Sequence, residues 1–268
     1  MGNRQSLITL LTDFGTQDYF VAAMKGVILS INPSVRIVDI THDVPAQDIE
    51  AAAFSLLACY RDFPAGTIHV AVVDPGVGSN RRALAIECAR QIFVGPDNGI
   101  FSWICERENK YRAFSVTNEK LFRQPLSATF HGRDVFAPVA AALSSGTGID
   151  ELGPPVKEIV RFSPLRPTTL DDQTIGGRII HIDRFGNCIT NLTLDDLGEK
   201  AFERGAKVTI NDYDIVAFHR YFADANEGEP FCYFGSAGFL EIAAKNSSAE
   251  QILQARRGQS VQFRRPCT

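Results

Sequence analysis

The sequence predicts a two-domain α/β protein: an N-terminal α/β domain with a mostly parallel central sheet, and a smaller C-terminal β-barrel or sandwich. Two observations indicate this fold class. Short apolar, β-branched segments alternate with helical segments over the first half of the 268 residues, as strands and crossover helices do in parallel sheets. Later in the chain, helical patterns fade and short strand patterns follow one another.

The N-terminal domain is predicted to cover residues 1–160. Its predicted strands are Leu7–Leu11, Val35–Ile40, Ile68–Val73, Ala83–Glu87 and Gln91–Val94. Its predicted helices are Tyr19–Ser30, a segment from Asp48 to about Tyr60, Ile100–Arg107 and Val135–Leu143. We expect Asp18, Asp48 and Asp134 to cap three of these helices, because an aspartate oxygen accepts a hydrogen bond from the free N–H groups of a first turn.

The C-terminal domain is predicted to cover residues 161–268. Proline-rich composition marks the linker before it, at Pro154, Pro155, Pro164 and Pro167. The predicted strands are Gly177–Ile182, Cys188–Leu192, Lys207–Ile210, Ile215–Phe218, Phe231–Phe234, Leu240–Ala243 and Ser260–Phe263. Only Ser248–Ala255 has a helical pattern in this half.

Composition excludes several function classes. A net charge of -4 without a run of Lys or Arg gives no bulk attraction to nucleic acid or to an anionic membrane surface. No secretory signal and no apolar run of about 18 residues is present, so we expect a cytoplasmic protein. The six cysteines form no CxxC pair, which predicts buried free thiols.

The first candidate for chemistry is the loop that follows the strand Val70–Val73. Asp74 stands at the carboxyl end of this strand, where ligands bind in open α/β sheets. Pro75–Gly78 makes a rigid, glycine-bearing loop, and Arg81 and Arg82 return positive charge to it. Asp-Pro-Gly is also a common turn, so the loop alone leaves both interpretations open.

Further candidates stand in similar places along the chain. Asp13 follows the first strand, and His131 lies at the mouth of a predicted helix. Asp183 and Asn187 flank a Phe-Gly turn, and Ser236 opens a Ser-Ala-Gly turn. Each has a structural alternative, since these residue types also shape Asx turns, hairpins and tight turns, and a single histidine is often structural.

Motifs for familiar cofactors are incomplete. Gly76-Val77-Gly78 lacks the third glycine of a dinucleotide fingerprint, and no Gly-Lys-Ser/Thr follows it. One alternative remains a metal-dependent hydrolase, because carboxylate and imidazole groups could assemble an oxygen-rich metal site. Its candidate ligands are Asp13, Asp39, His42, Asp74 and His131.

Eight segments, in order over nearly the whole chain, together resemble the S-adenosylmethionine (SAM) hydroxide adenosyltransferases. These are SAM hydrolases related to the fluorinase and chlorinase enzymes. The segments are Thr12–Gly15, Met24–Ile28, Val38–His42, Val72–Gly78, Gly95–Gly99, Gly132–Pro138, Asp183–Asn187 and Ser236–Ala243. Eight ordered motifs are far more specific than any one of them.

The resemblance implies hydrolysis of SAM to adenosine and methionine, by a water-derived nucleophile that attacks the ribose 5′ carbon. SAM is the substrate, and no cofactor or metal is expected. The family's nucleophile-activating residues fall on Asp74, Arg81 and His131. We expect Arg81 to stabilise hydroxide character. His131 is a candidate to take or relay the proton while Asp74 orients the pair, and the formal base stays open.

The resemblance also implies substrate-binding residues. The family's ribose-binding aspartate falls on Asp13, whose carboxylate oxygens suit a vicinal diol. Asp183 would meet the methionine end of the substrate, and Asn187 would contact the nucleoside. Ser236 matches a serine that holds the methionine carboxylate. The halogenases carry an arginine immediately after this serine, where this chain has Ala237.

The family forms trimers in which the ligand lies between the first domain of one subunit and the second domain of its neighbour. The resemblance therefore implies a homotrimer with sites at subunit interfaces. Two alternatives remain: a chlorinase-like, halide-using adenosyltransferase and a non-catalytic SAM-binding protein. A halide needs no proton removed, so His131 and Arg81 favour water. The segment Ala83–Val94 is also too short to hold the extra loop of fluorinases.

Overall fold

The computed structural model describes residues 6–198 and 205–266. The chain divides into two compact units, Met1–Pro164 and Leu165–Thr268, called here the N-terminal and C-terminal units. The predicted boundary, between residues 160 and 161, lies just before the observed one. Each unit has its own apolar core.

The N-terminal unit is built on a seven-stranded sheet among its described residues. The strands are β1 (Leu7–Thr12), β2 (Arg36–Thr41), β3 (Ile68–Val72), β4 (Ala83–Cys88), β5 (Gln91–Pro96), β6 (Tyr111–Ser115) and β7 (Pro155–Val156). Their order in the sheet is β2-β1-β3-β5-β4-β6-β7. Strands β1 and β3 are almost wholly buried, as their apolar, β-branched sequences predict.

The sheet is mixed, which corrects the expectation of a mostly parallel one. Strands β2, β1, β3 and β5 pair in parallel, whereas β4, β6 and β7 join through antiparallel pairs. The reversal begins at the two-residue turn Ala89-Arg90, where both residues have positive φ (51° and 64°). Such a turn forms a tight hairpin and sends the chain back antiparallel.

From residue 6 onward, this unit contains four α-helices: α1 (Phe20–Ile31), α2 (Ile49–Cys59), α3 (Ser102–Glu108) and α4 (Ala137–Ser144). The capping prediction is confirmed for Asp48, whose side chain accepts a hydrogen bond from Ala51 N. It is wrong for Asp18, because α1 begins after Tyr19 without a side-chain cap.

The capping prediction is also wrong for Asp134. This residue lies inside a single π-helical turn, Gly132–Phe136, that leads directly into α4. Its buried carboxylate accepts hydrogen bonds from the guanidinium group of Arg133 and from the backbone N–H of Ser127. These charge-assisted bonds tie the segment before His131 to the helix through Asp134.

Backbone packing brings the Asp74 loop against that same segment. Gly78 has φ +79°, and a Cβ atom at this position would lie 2.4 Å from the carbonyl oxygen of Ala128. No larger residue fits such an approach. The loop after β3 and the chain before His131 are therefore held side by side by their backbones.

The C-terminal unit contains an eight-stranded antiparallel sheet within its described residues. The strands are β8 (Thr168–Thr169), β9 (Thr174–Ile182), β10 (Cys188–Thr193), β11 (Lys207–Ile210), β12 (Tyr213–Ile215), β13 (Pro230–Phe234), β14 (Phe239–Ala244) and β15 (Ser260–Arg264). The order is β12-β11-β15-β9-β10-β14-β13, with β8 beside β9. A bridge between Phe218 and Cys232 brings the two ends of this order together, so the sheet is nearly closed.

Among the described residues of this unit, two short α-helices accompany the sheet, α5 (Leu194–Leu197) and α6 (Ala249–Leu253). The predicted strand Ile215–Phe218 is displaced, since β12 ends at Ile215 and Phe218 makes only an isolated bridge. Ser248 caps α6 through a hydrogen bond from Gln251 N.

Two further expectations concern the state of the cysteines and the presence of membrane-spanning segments. Cys88, Cys105, Cys188 and Cys232 are buried free thiols, which confirms the prediction for these four, whereas Cys59 is a free thiol that is only half-buried. Cys267 lies outside the described residues. No helix among residues 6–198 and 205–266 is long and apolar enough to cross a membrane.

Candidate active site

Asp74 and Arg81 form a largely buried ion pair in the N-terminal unit. Arg81 Nε donates to Asp74 Oδ1 at 2.8 Å, and Arg81 Nη2 donates to Asp74 Oδ2. The side chains of Asp74 and Arg81 are only 5% and 11% exposed. A bidentate ion pair of this kind is strong and fixes the orientation of both side chains.

His131 contacts the guanidinium group of Arg81 in this ion pair. Arg81 Nη2 lies 2.8 Å from His131 Nδ1. Because a guanidinium group can only donate, Nδ1 is the acceptor, and the neutral imidazole carries its proton on Nε2. Burial and the neighbouring Arg81 charge lower the pKa of His131, against the opposite influence of Asp74 and Asp134. The ring is therefore neutral near pH 7.

The two adjacent arginines face different partners. Arg81 contacts Asp74 and His131, whereas Arg82 Nε donates to Asp97 Oδ2 at 2.8 Å and Arg82 Nη2 to the carbonyl oxygen of Glu158 at 2.8 Å. Arg82 thus stabilises a separate, structural contact. Of the two arginines, Arg81 is the one that contacts Asp74 and His131.

The cleft in front of this cluster has a volume of about 390 Å³. Asp74 and His131 line it, and Arg81 lies behind them. Its other polar walls are Asp13, Gln47 and Thr129. Three aromatic rings close the remaining side, at centroid distances between 5.2 and 5.9 Å: Phe14, Phe20 and Phe130. The structure therefore brings Asp13, Asp74, Arg81 and His131 together, although 118 residues separate the first from the last (131 − 13).

Asp13 is held by the backbone across the cleft. Its Oδ2 atom accepts the N–H of Gln47 at 2.8 Å, and Gln47 has φ +65°, an unusual value for a residue with a side chain. A carboxylate offers about four lone-pair positions. One bond to Gln47 leaves acceptor capacity for two ligand hydroxyls.

The other three predicted binding residues line one pocket of the C-terminal unit, with a volume of about 820 Å³. Asp183, Asn187 and Ser236 all contribute to its wall. Phe185, which is 76% exposed, and Phe222 add aromatic surface to the same wall. The pocket therefore combines polar groups with a large, accessible ring.

Asp183 and Asn187 also shape the turn between β9 and β10. Asp183 Oδ1 accepts the backbone N–H groups of Phe185 and Asn187 at 2.8 and 2.9 Å. Asp183 Oδ2 accepts Asn187 Nδ2 at 2.8 Å. The hairpin alternative is therefore correct as a description of the turn, and the same two side chains face the pocket.

Sequence reasoning missed two residues of this pocket, Glu241 and Tyr233. Glu241 is only 9% exposed, and the hydroxyl of Tyr233 donates a short hydrogen bond to it. Burial, with a smaller contribution from the Asp183 carboxylate, raises the pKa of Glu241 even though the Tyr233 bond lowers it. The available signal was a glutamate in the middle of the apolar strand Phe239–Ala244.

The metal-site alternative does not assemble in the described part of the chain. Asp39 is engaged by Lys25 Nζ at 2.6 Å and by His42 Nε2 at 3.1 Å, and Asp74 is engaged by Arg81. No group of three or more His, Cys, Asp or Glu side chains converges among these residues as a metal site requires.

Two family models match most of the chain. The model described as the SAM hydroxide adenosyltransferase N-terminal domain matches residues 8–153. The model of the C-terminal domain of the same family matches residues 177–262. The first match contains Asp13, Asp74 and His131, and the second contains Asp183 and Glu241.

Individual proteins that are similar to this chain are named as SAM hydrolases or as fluorinases. The (R)-S-adenosyl-L-methionine hydrolase of Thermus thermophilus is 38% identical over 265 residues, 96% of this chain and 98% of that protein. The enzyme of the same name from Methanocaldococcus jannaschii is 36% identical, over 92% and 91% of the two chains. A fluorinase from an Actinoplanes species is 30% identical, over 90% and 91%.

A solved structure has the same fold. The crystal structure of an uncharacterized conserved protein from Thermotoga maritima matches with a TM-score of 0.90 and 33% sequence identity. The match covers 96% of this chain and 100% of that one. It therefore extends over both units.

Proposed function

This chain belongs to the SAM hydroxide adenosyltransferase family, and we propose that it hydrolyses S-adenosyl-L-methionine to adenosine and L-methionine. One observation carries the proposal: Asp74, Arg81 and His131 form a single hydrogen-bonded cluster beside the cleft that also contains Asp13. Relatives named as hydrolases of the (R) form, similar over nearly the full length, support it.

The reaction is a substitution at the ribose 5′ carbon. A bond forms between the water oxygen and C5′, and the C5′–sulfur bond breaks with its electron pair left on sulfur. Sulfur departs as the neutral thioether of methionine, so the leaving group needs no proton. Water, with a pKa of about 15.7, must instead be activated.

We assign the activation to the cluster. Both Asp74 oxygens accept from Arg81 and still have lone pairs, so Asp74 accepts the water proton and passes it to solvent. His131 Nδ1 is occupied by Arg81, so His131 acts at Nε2 as a hydrogen-bond donor that orients the nucleophile. Arg81 supplies positive charge and fixes both partners. The formal base, which the sequence leaves open, is thus assigned to Asp74 in this proposal.

Substrate binding follows from the two cavities. Asp13 would accept hydrogen bonds from the ribose hydroxyls. In the C-terminal pocket, Phe185 would stack on adenine and Asn187 would contact the nucleoside. Asp183 and Glu241 would meet the methionine ammonium group, because carboxylates are its natural partners. Ser236 would bind the methionine carboxylate, without the arginine that follows it in halogenases.

The proposal includes no cofactor besides the substrate and no nucleic-acid or membrane partner. It includes a homotrimer with sites at subunit interfaces. Light scattering would report the mass, and mixed oligomers would test the sharing of sites. Asp74→Ala subunits, inactive alone, and Glu241→Ala subunits, with little activity at a SAM concentration far below their raised KM, should regain activity at that concentration after co-refolding if a site draws on two subunits. Activity that stays absent in the mixture would contradict shared sites.

A product assay tests the function itself. Purified protein is incubated with each sulfonium epimer of SAM in chelator-containing buffer, with and without chloride, and the nucleosides are resolved by chromatography. We expect adenosine in both buffers and none from Asp74→Ala. A 5′-chloro nucleoside would instead indicate the halide-using alternative. Unchanged but bound SAM would indicate a binding protein. Activity that is present in a chelator-free control and lost in the chelator-containing buffer would indicate a metal-dependent hydrolase.

A further inference from the structure

A chain of four side chains runs from the protein surface to the base of the Asp13 loop. Lys25 Nζ lies 2.6 Å from Asp39 Oδ2, and Asp39 Oδ1 lies 3.1 Å from His42 Nε2. His42 Nδ1 lies 2.8 Å from Thr12 Oγ1. Thr12 is the last residue of β1 and directly precedes Asp13.

The donors and acceptors of this chain have one consistent direction. Burial would raise the pKa of Asp39, but the contacts with Lys25 and His42 outweigh it and lower that pKa, so Asp39 is an ionised acceptor. His42 places Nε2 3.1 Å from Asp39 Oδ1, a close polar contact without hydrogen-bond alignment, and with its proton on Nε2 it accepts the Thr12 hydroxyl proton at Nδ1. The Thr12 oxygen in turn accepts the N–H of Phe14 at 3.3 Å.

The backbone around His42 holds the same loop at two more points. The His42 carbonyl oxygen accepts the N–H of Gly15 at 2.8 Å, which Gly15 reaches with φ +67°. Gln47 N, five residues after His42, donates to Asp13 Oδ2 at 2.8 Å. The loop from Thr12 to Gly15 is thus fixed at Phe14, at Gly15 and at the Asp13 carboxylate.

We propose that Thr12, His42, Asp39 and Lys25 are positioning residues that aim the Asp13 carboxylate at the ribose hydroxyls. Their contribution is to substrate selection: they make the enzyme prefer a ribose that carries the 2′-hydroxyl. Thr12 and His42 are buried, and the cleft wall is formed by their neighbours. The inference rests on the proposed function in one respect, the assignment of Asp13 to the ribose.

A second threonine–histidine pair in the protein offers a closely matched control for a substitution of Thr12. Thr9 lies on the same strand as Thr12, both are 0% exposed, and Thr9 Oγ1 lies 2.7 Å from Nδ1 of another buried histidine, His69. Thr9→Val and Thr12→Val are therefore the same nearly isosteric change at two buried threonine–histidine pairs. Only the second pair leads to the Asp13 loop.

The experiment measures kcat and KM for SAM and for its 2′-deoxy analogue in wild type, Thr12→Val, Thr9→Val and Thr12→Ser. A site that hydrogen-bonds a substrate hydroxyl rejects the analogue that lacks it. We expect Thr12→Val to reduce the ratio of kcat/KM between the two substrates by about tenfold or more, mostly through KM for SAM. Thr9→Val should keep the ratio within about twofold, and Thr12→Ser should restore it.

Urea unfolding separates positioning from stability. Thr9→Val removes the bond to His69, and Thr12→Val removes the bond to His42 and the longer one from Phe14 N, so both unfolding midpoints should fall, that of Thr12→Val at least as far as that of Thr9→Val. If Thr12→Val does not fold, Asp39→Asn, at the partly exposed end of the chain, should change the ratio in the same direction. A ratio unchanged in Thr12→Val, or in Asp39→Asn where it is the variant tested, would overturn the inference. So would an equal change in Thr9→Val.

Asp13→Ala distinguishes failure of this inference from failure of the proposed function. If Asp13→Ala abolishes the preference for SAM and Thr12→Val preserves it, Asp13 binds ribose and the positioning chain is wrong. If wild-type protein turns over neither substrate, the proposed hydrolase function fails and the inference fails with it.

Discussion

The two cavities differ in how their buried carboxylates are neutralised. In the N-terminal cleft, Asp74 is paired with Arg81, so the protein itself compensates its charge. In the C-terminal pocket, Glu241 bonds to the Tyr233 hydroxyl, and its pKa is raised by burial. A carboxylate that is already paired with a cation gains little from a cationic ligand, whereas an uncompensated one gains most from it. The first arrangement suits chemistry and the second suits recognition of an ammonium group.

The largest expected effect separates Arg81 from its neighbour. Arg81→Gln removes both the bidentate bond to Asp74 and the bond to His131, so we expect kcat/KM to fall by about 10³-fold. Arg82→Gln is the matched control, since Arg82 bonds to Asp97 and not to the cluster. It should lower the melting temperature but keep kcat within about threefold. Steady-state kinetics and thermal unfolding of both variants measure these effects on activity and stability.

The Glu241→Gln variant tests the part of the comparison that concerns the C-terminal pocket. Loss of a charge-assisted hydrogen bond costs about 1.5–3 kcal/mol, so KM for SAM should rise by about 10–100-fold with kcat nearly unchanged. The ligand-free protein should be no less stable, because a neutral amide is easier to bury than a carboxylate. Equal losses of kcat in Glu241→Gln and Arg81→Gln would remove the proposed division between the cavities.

A smaller effect on binding is expected at Phe185. Stacking of a base on an aromatic ring contributes about 1–3 kcal/mol, so Phe185→Ala should raise KM at least about fivefold. Its side chain is 76% exposed, and the melting temperature should change little. Phe185→Tyr keeps the ring face and should keep KM. An unchanged KM in Phe185→Ala would place adenine elsewhere.

The smallest expected effect is the pH dependence of the cluster. The pKa of His131 is lowered, so the ring is neutral above its usual value of about 6.5 and for some distance below it. Protonation at Nδ1 would break the bond from Arg81, and kcat should therefore fall only as the pH drops below that usual value. A kcat that already declines between about pH 8 and 7 would contradict a neutral His131 donor.

The sequence predicted the parts of the fold that depend on local pattern. Strands β1 and β3 were readable because their apolar, β-branched runs are continuous. Strand β6 was not, since Tyr111–Ser115 carries a charged residue and has no clear alternation. The β4–β5 hairpin was predicted as two strands but not as a tight turn, because Ala89 and Arg90 are not the residues that usually adopt positive φ there.

The candidate site shows the same difference between what local motifs predict and what only contacts between distant residues reveal. The motifs identified Asp74, Arg81 and His131, but the proton on His131 Nε2 follows only from the contact with Arg81. Tyr233 and Glu241 were missed as a pair because they meet directly across β13 and β14. Register between strands depends on long-range packing that no local pattern reveals.

Isotope transfer from water tests the central claim most directly. The protein is incubated with SAM in H₂¹⁸O, and the products are analysed by mass spectrometry. Attack of a water-derived nucleophile on the ribose 5′ carbon predicts ¹⁸O in the 5′-hydroxyl of adenosine and none in methionine. Adenosine without the label, or label in the amino-acid product, would contradict the reaction assigned to the Asp74, Arg81 and His131 cluster.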